Sequence, residues 1–156
     1  MDKPIRKRNR LKEYDYSTKG YYFVTICSKD RKLIFGNIPN PEDNFTKYSR
    51  IGFIIEKHIL NIEKHYNDVY IDKYVIMPNH IHLIVVIGCR VENSIENHSL
   101  SNIIGQFKSG VSKEAGAPVW QRLFHDHIIR NQKDYERIWK YIDANPALWY
   151  KDCFFM

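Results

Sequence analysis

The stretch Y-V-I-M-P-N-H-I-H-L-I-V-V-I-G, residues Tyr74 to Gly88, decides the fold. It is rich in Val and Ile, which predicts a strand buried on both faces, yet it holds two histidines at spacing i, i+2. Because residues i and i+2 of a strand point to the same face, His80 and His82 project side by side. The opposite face carries the alternate apolar residues Ile81, Leu83, Val85 and Ile87.

Two imidazoles about 7 Å apart along a strand can both bind one metal ion. A His-x-His pair is more often two hydrogen-bonded or surface histidines, so the spacing alone is a weak signal. The apolar surroundings favour a metal, because each buried ring needs a polar partner and one ion satisfies both. A third ligand must then come from elsewhere in the chain.

The neighbouring strand is predicted at Val69 to Met77, and Pro78-Asn79 joins it to the histidine strand as an antiparallel hairpin. Pro-Asn suits a type I or type II turn better than the primed turns of tight hairpins. We therefore expect a local irregularity just before His80.

Hydrophobic periodicity predicts five further elements. In chain order they are a strand at Gly20 to Cys27, a helix of roughly 20 residues from about Thr46, a helix capped by Ser99, a strand at Leu123 to Arg130 and a helix from about Asp134 to Ala144. The order β-α-β-β-α-β plus a last helix predicts an α+β, ferredoxin-like domain with an antiparallel sheet and helices on one face. The histidines then point to the other face, which the extra C-terminal helix can cover.

The last helix offers a third ligand and a nucleophile. Tyr141 and Asn145 are four residues apart and share a flank of the helix that can overhang the histidines. Asn145 supplies an amide oxygen as a metal ligand, and Tyr141 supplies a phenol that can attack phosphorus. Tyr135 is the rival nucleophile, but it lies at the centre of the apolar stripe of the helix. That stripe consists of Tyr135, Ile138, Trp139 and Ile142.

The charge of the chain favours a polyanionic partner. The formal net charge is +6 and the pI is about 9.2, which indicates nucleic acid ahead of a membrane surface. Residues 1–13 are predicted to form a basic arm, and residues 14–156 a single domain. The arm is compatible with a solubilising tail and with a phosphate-contacting segment. Its basic residues are Lys3, Arg6, Lys7, Arg8, Arg10 and Lys12.

The cysteines and the hydropathy indicate the cellular compartment of the protein. Cys27, Cys89 and Cys153 are scattered and form no C-x-x-C, so neither a disulfide framework nor a zinc knuckle is indicated. No apolar run reaches the roughly 18 residues of a membrane span. We expect a cytoplasmic protein without a membrane partner.

Several blocks of the chain resemble one known family. The string M-P-N-H-I-H-L-I-V at Met77 to Val85 resembles the His-hydrophobe-His motif of the HUH single-strand endonucleases, and its form M-P-N-H is similar to their REP-associated tyrosine transposase branch. The resemblance continues, in the same order along the chain, through R-L-K-E-Y-D-Y-S at Arg10 to Ser17, Y-Y-F-V-T-I-C at Tyr21 to Cys27, Q-F-K-S at Gln106 to Ser109, W-Q-R-L-F-H-D-H-I-I-R at Trp120 to Arg130 and Y-I-D-A-N-P at Tyr141 to Pro146.

The resemblance implies a site and a reaction. His80, His82 and Asn145 correspond to the ligands of a divalent metal, Mg²⁺ or Mn²⁺, and Tyr141 corresponds to the nucleophile. Related insertion-sequence transposases carry glutamine where this chain has Asn145, so the third ligand departs from the wider superfamily. The implied activity is a metal-dependent endonuclease and strand transferase that acts on single-stranded or hairpin DNA through a 5′-phosphotyrosine intermediate, within the nucleoid.

Further site residues follow from charge and position. His127, with His125 on the same strand, is a candidate to help ionise the tyrosine. The predicted DNA-binding residues are Arg6, Lys7, Arg8, Arg10, Lys108, Lys113 and Arg130. A monomer and a homodimer are both compatible with this reading. The alternative function is a non-catalytic module on the same fold that binds single-stranded nucleic acid.

Overall fold

The computed structural model describes residues 19–88 and 98–151. These two ranges contain six strands and three α-helices. In chain order they are β1 Gly20–Cys27, β2 Gly36–Asn37, β3 Lys47–Tyr48, α1 Arg50–His65, β4 Val69–Ile76, β5 His80–Ile87, α2 Leu100–Ala115, β6 His125–Ile129 and α3 Gln132–Ala144. Short 3₁₀ turns lie at Lys29–Arg31 and Pro146–Lys151.

The main sheet is antiparallel and has the strand order β4-β5-β1-β6, while β2 and β3 form a small separate ribbon. β1 lies between β5 and β6, with Cys27 opposite His80 and Phe23 opposite His127. This order is that of the ferredoxin-like βαββαβ arrangement, so the predicted fold class is confirmed.

β5 is the central structural element, and every one of its eight residues is buried. One face packs on α1 and α2, and the opposite face packs on α3 through Ile84 and Val86 against Ile138 and Ile142. The predicted division of the strand is therefore confirmed. The residues on the α1 and α2 side are the four expected ones, Ile81, Leu83, Val85 and Ile87.

The β4–β5 turn is a three-residue connection, Met77-Pro78-Asn79, in which the N–H of Met77 donates to the carbonyl of His80 at 2.8 Å. Neither Pro78 nor Asn79 has a positive φ, so the turn is not a primed type, as the sequence predicted. The pairing continues without a register shift from Lys73 to the turn, so the irregularity expected just before His80 was placed wrongly.

The irregularity is a β-bulge at Asp72, between Ile71 and Lys73 of β4. An extra residue in one strand reverses the alternation of faces beyond it. As a result the consecutive side chains of Asp72 and Lys73 both reach α3, where they contact Tyr135 and Asp143. The bulge therefore gives α3 two polar attachments on β4.

Capping residues set where the helices begin. α2 begins after Ser99, whose hydroxyl accepts from the N–H of Asn102 at 3.2 Å, as predicted. α1 begins four residues later than predicted, because Ser49 is its cap. α3 begins two residues earlier than predicted, because the Asn131 side chain accepts from the N–H of Asp134 at 2.8 Å. None of the helices within the described ranges has the length and apolar character needed to cross a membrane.

Two helical glycines provide a matched test of packing. A Cβ at Gly52 would overlap the carbonyl oxygen of Phe35, whereas a Cβ at Gly105 meets nothing within 4 Å. We expect Gly52→Ala to lower the free energy of unfolding by roughly 1 to 3 kcal/mol. Gly105→Ala should leave it unchanged or raise it by up to about 1 kcal/mol. Urea denaturation of both variants measures the difference, and equal effects would contradict the close approach of α1 to Phe35.

Candidate active site

The two predicted histidines lie at the start of β5, on the face that α3 covers. His80 is 0% and His82 2% exposed, and their ring centroids are 4.8 Å apart. The Phe23 ring is stacked on His82, with centroids 5.2 Å apart, so the pair lies among aromatic rings. The spacing therefore predicted the juxtaposition of the two rings correctly.

Hydrogen bonds fix the orientation of both rings. His80 Nδ1 lies 2.8 Å from Asn79 Oδ1, and His82 Nδ1 lies 2.9 Å from Thr25 Oγ1. Because an amide oxygen only accepts, His80 Nδ1 is the donor, and its Nε2 carries the lone pair. This arrangement of an engaged Nδ1 and a metal-binding Nε2 is typical of protein metal sites.

Two buried polar atoms, one in this pair and one at the end of α3, have no hydrogen-bond partner within the part of the chain that the structure describes. They are His82 Nε2 and Asn145 Oδ1, and Asn145 is only 3% exposed. A buried polar atom without a hydrogen bond is costly unless another partner, such as a metal ion, takes that place. The donor set therefore fits a cation.

The residue types present limit how a metal could be held. No group of three His, Cys, Asp or Glu side chains that could hold a metal ion occurs in residues 19–88 and 98–151. The two imidazoles need a ligand of another kind, and Asn145 lies one helical turn beyond Tyr141, whose ring centroid is 5.4 Å from that of His82. Two imidazole nitrogens and one amide oxygen are the candidate set.

The pKa of His82 also suits a ligand. Burial, together with the neighbouring His80, holds the pKa of the His82 imidazole well below its usual value. The ring is therefore neutral near pH 7, and a neutral imidazole is the form that binds metals.

Tyr141 lies on α3 over the histidine face and is 41% exposed. Its ring meets Phe23 edge to face, with centroids 6.2 Å apart. It opens into a cavity of about 320 Å³. The side chains around this cavity include Phe23, Thr25, His82, His127, Arg137 and Tyr141. The structure thus brings the predicted nucleophile and a predicted ligand to one cavity.

Tyr135, the rival nucleophile, is engaged elsewhere. Its hydroxyl donates to the Asp72 carboxylate at the bulge of β4, and its ring packs edge to face on Tyr21. The hydrogen bond to Asp72, with burial, raises the pKa of Tyr135 to about 12. A phenol that is this hard to ionise is a poor nucleophile at neutral pH.

His127 borders the same cavity, but its ring faces an acid. Its Nε2 lies 2.7 Å from one oxygen of Asp134, whose other oxygen accepts from Arg137, also at 2.7 Å. These two bonds hold the pKa of the Asp134 carboxyl below its usual value.

Asp134 and Arg137 were not among the site residues predicted from the sequence. Their spacing was the available signal, because Arg137 precedes Tyr141 by one helical turn.

The predicted DNA-binding residues are dispersed. Lys108 donates to the carbonyl oxygens of Gln121 and Arg122 at 2.7 and 3.1 Å, on the helix layer opposite the histidine face. Lys113 is an exposed residue of the same helix. The structure does not bring either lysine to the site. Arg130 lines a second cavity, of about 400 Å³, near the start of α3. Arg6, Lys7, Arg8 and Arg10 lie outside the described residues.

The sequence analysis gave no role to the segment Pro146–Lys151, which closes the site beside His80. Trp149 is buried, its ring centroid is 6.2 Å from that of His80, and it packs with Ile38 and Met77. The Tyr150 hydroxyl donates to the carbonyl of Ile38 at 2.8 Å, which anchors the segment. Two adjacent aromatic residues after Asn145-Pro146 were the signal that was missed.

Comparisons with known proteins found one sequence relative and solved structures with this fold. No protein-family model matches the chain. An uncharacterized protein of Haemophilus influenzae is 34% identical over 94% of this chain and 91% of its own length.

The structural relatives include the REP-associated tyrosine transposase bound to a REP hairpin, with a TM-score of 0.66 and 21% identity over 88% of this chain and 72% of that one. A candidate transposase from Deinococcus radiodurans has a TM-score of 0.52 and 12% identity, over 86% of this chain and 95% of that one. At these identities the likeness establishes a common fold.

Metal binding is testable through stability. We expect Mn²⁺ at 100 times its Kd to raise the free energy of unfolding by about 2.7 kcal/mol. His82→Ala and Asn145→Leu should lose most of this increase, because each removes a candidate ligand atom. His65→Ala, at an exposed histidine of α1, should keep it. Thermal unfolding with Mn²⁺ and with chelator measures the increase. The same increase in all four proteins would contradict the site.

Proposed function

Since this chain belongs to one family with the Haemophilus influenzae protein and has the fold of a REP-associated tyrosine transposase, we propose that it is a transposase. In this proposal it is a metal-dependent endonuclease and strand transferase for single-stranded DNA. The observation that carries the proposal is the meeting of Tyr141 with the buried pair His80 and His82 at one cavity.

The metal role rests on the donor set. His80, His82 and Asn145 would hold Mg²⁺ or Mn²⁺ through two imidazole nitrogens and one amide oxygen. All three ligands are neutral, so the ion would keep its full positive charge. When bound, such an ion supplies Lewis-acid chemistry at an oxygen of the scissile phosphate. Thr25 and Asn79 orient the two rings for this purpose.

Tyr141 is the nucleophile in this proposal. Its phenol gives up its proton as the oxygen bonds to phosphorus. The bond from phosphorus to the 3′-oxygen breaks, and that oxygen takes up a proton. The products are a 5′-phosphotyrosine and a free 3′-hydroxyl. Because the phosphodiester energy is retained, another 3′-hydroxyl can reverse the step and join two strands.

The dimensions of the cavity favour a single strand as substrate. A volume of about 320 Å³ beside Tyr141 has room for a phosphate and its sugar, whereas a stiff duplex cannot bend into it. The transposase of the same fold was solved with a REP hairpin. By analogy we propose a hairpin with a single-stranded flank as the DNA element, with Arg130 and the basic arm contacting phosphates.

Covalent trapping tests the nucleophile. Wild type and variants are incubated with Mn²⁺ and a pool of labelled single-stranded oligonucleotides that carry a hairpin and randomised flanks. We expect an adduct that survives denaturation in wild type and in Tyr135→Phe, and none in Tyr141→Phe. Tyr135→Phe is the matched control. It removes a hydroxyl from the same helix, and that hydroxyl is hydrogen-bonded to Asp72.

The outcomes of the trapping experiment distinguish the proposed strand transferase from the non-catalytic binding module. An adduct in Tyr141→Phe that disappears in Tyr135→Phe would overturn the assignment of the nucleophile. Hairpin binding without any adduct in wild type would favour the non-catalytic binding module. Cleavage that continues undiminished in chelator would end the metal proposal.

A further inference from the structure

The cavity beside Tyr141 is lined by a permanently charged side chain. Of its lining residues within the described ranges 19–88 and 98–151, Arg137 alone has a side chain that stays charged at any physiological pH. Arg137 precedes Tyr141 by four residues on α3, which puts their Cβ atoms about 5 to 6 Å apart. Both side chains line the same cavity, so Arg137 and Tyr141 border one space from successive turns of α3.

The guanidinium is held in place from one side. One terminal nitrogen of Arg137 donates to Asp134 Oδ1 at 2.7 Å, and the Asp134 backbone N–H is bound by Asn131 at 2.8 Å. His127 Nε2 lies 2.7 Å from the second carboxylate oxygen of Asp134, Oδ2. The guanidinium has five N–H donors, so this single bond leaves others for a ligand of the cavity.

The ligand class follows from this chemistry. A phosphodiester carries a negative charge on two non-bridging oxygens, and more charge develops on them as a nucleophile attacks. The planar fork of an arginine matches two such oxygens better than any other side chain. Because the candidate metal ligands are neutral, Arg137 is the described residue of this cavity whose side chain offers a permanent positive charge to that developing charge.

We propose that Arg137 binds the scissile phosphate and stabilises the charge that develops on it as Tyr141 attacks. This role rests on the proposed function. The Arg137 side chain forms hydrogen bonds and keeps all of its protons. The bond made is from the Tyr141 oxygen to phosphorus, and the bond broken is from phosphorus to the 3′-oxygen. After cleavage, the same guanidinium holds the phosphotyrosine one helical turn away.

The test compares rates and affinities on the oligonucleotide recovered from the wild-type adduct. We expect Arg137→Gln to slow single-turnover adduct formation by about 10² to 10³ fold, as removal of one preorganised donor does elsewhere. Its Kd for the same oligonucleotide should change far less. Arg137→Lys should restore part of the rate. Lys64→Gln, which removes an exposed charge from α1 on the opposite side of the sheet, should keep the wild-type rate.

A substrate with an uncharged group in place of the scissile phosphate provides the decisive comparison. A methylphosphonate at the scissile position lacks the charge that Arg137 would balance, so the ratio of the wild-type rate to the Arg137→Gln rate should fall toward one. An arginine that only supports the fold, or only attracts DNA, would give the same ratio on both substrates, and that result overturns the role. An unchanged rate in Arg137→Gln overturns it as well.

The experiment distinguishes an error in the role of Arg137 from an error in the proposed function. If wild type forms an adduct and Arg137→Gln forms it at the same rate, the inference alone is wrong. If wild type forms no adduct with any member of the pool, the proposed function falls, and this role of Arg137 falls with it.

Discussion

The burial of β5 on both faces is the constraint on which the rest of the structure depends. A strand alternates its side chains, so one apolar set must meet α1 and α2 while the other set, which begins with His80 and His82, faces α3. The two rings are thereby removed from water at a rigid position. Their Nδ1 atoms are hydrogen-bonded to Asn79 and Thr25, which fixes the orientation of both rings.

The position of Tyr141 follows from the attachment of α3 to the sheet. Ile138 and Ile142 pack on the same face of β5 that carries the histidines, and this apolar contact sets the rotation of the helix. Lys73 adds an ion pair to Asp143 at 2.8 Å and lies over the Trp139 ring at 4.0 Å. Tyr141 is thus aimed at His82 because residues on the neighbouring stripe of its helix are buried. A side chain on a packed helix is held more rigidly than one on a loop.

Local sequence signals predicted most elements of the fold, and the differences have physical causes. β1 agrees with its predicted range, and the ferredoxin-like order is confirmed, because alternation and helical periodicity are strong in these segments. The resemblance to REP-associated tyrosine transposases is confirmed in the fold. The bulge at Asp72 could not be predicted, because an extra residue in β4 is defined only by the register of its partner strand. Ser49 and Asn131 are residue types that favour N-caps, but the starts of these helices were predicted from hydrophobic periodicity instead.

The amino-acid sequence by itself determined the strand–helix order, the common face of His80 and His82, and the candidacy of Tyr141, because these depend on spacing within one element. Only the tertiary structure decided which groups meet across elements. It engaged Tyr135 with Asp72 and brought Arg137 to the cavity of Tyr141. It also placed Lys108 on the helix layer away from the histidines. The reason is that contacts between distant segments depend on sheet register and helix rotation, which are set by the packing of the whole core.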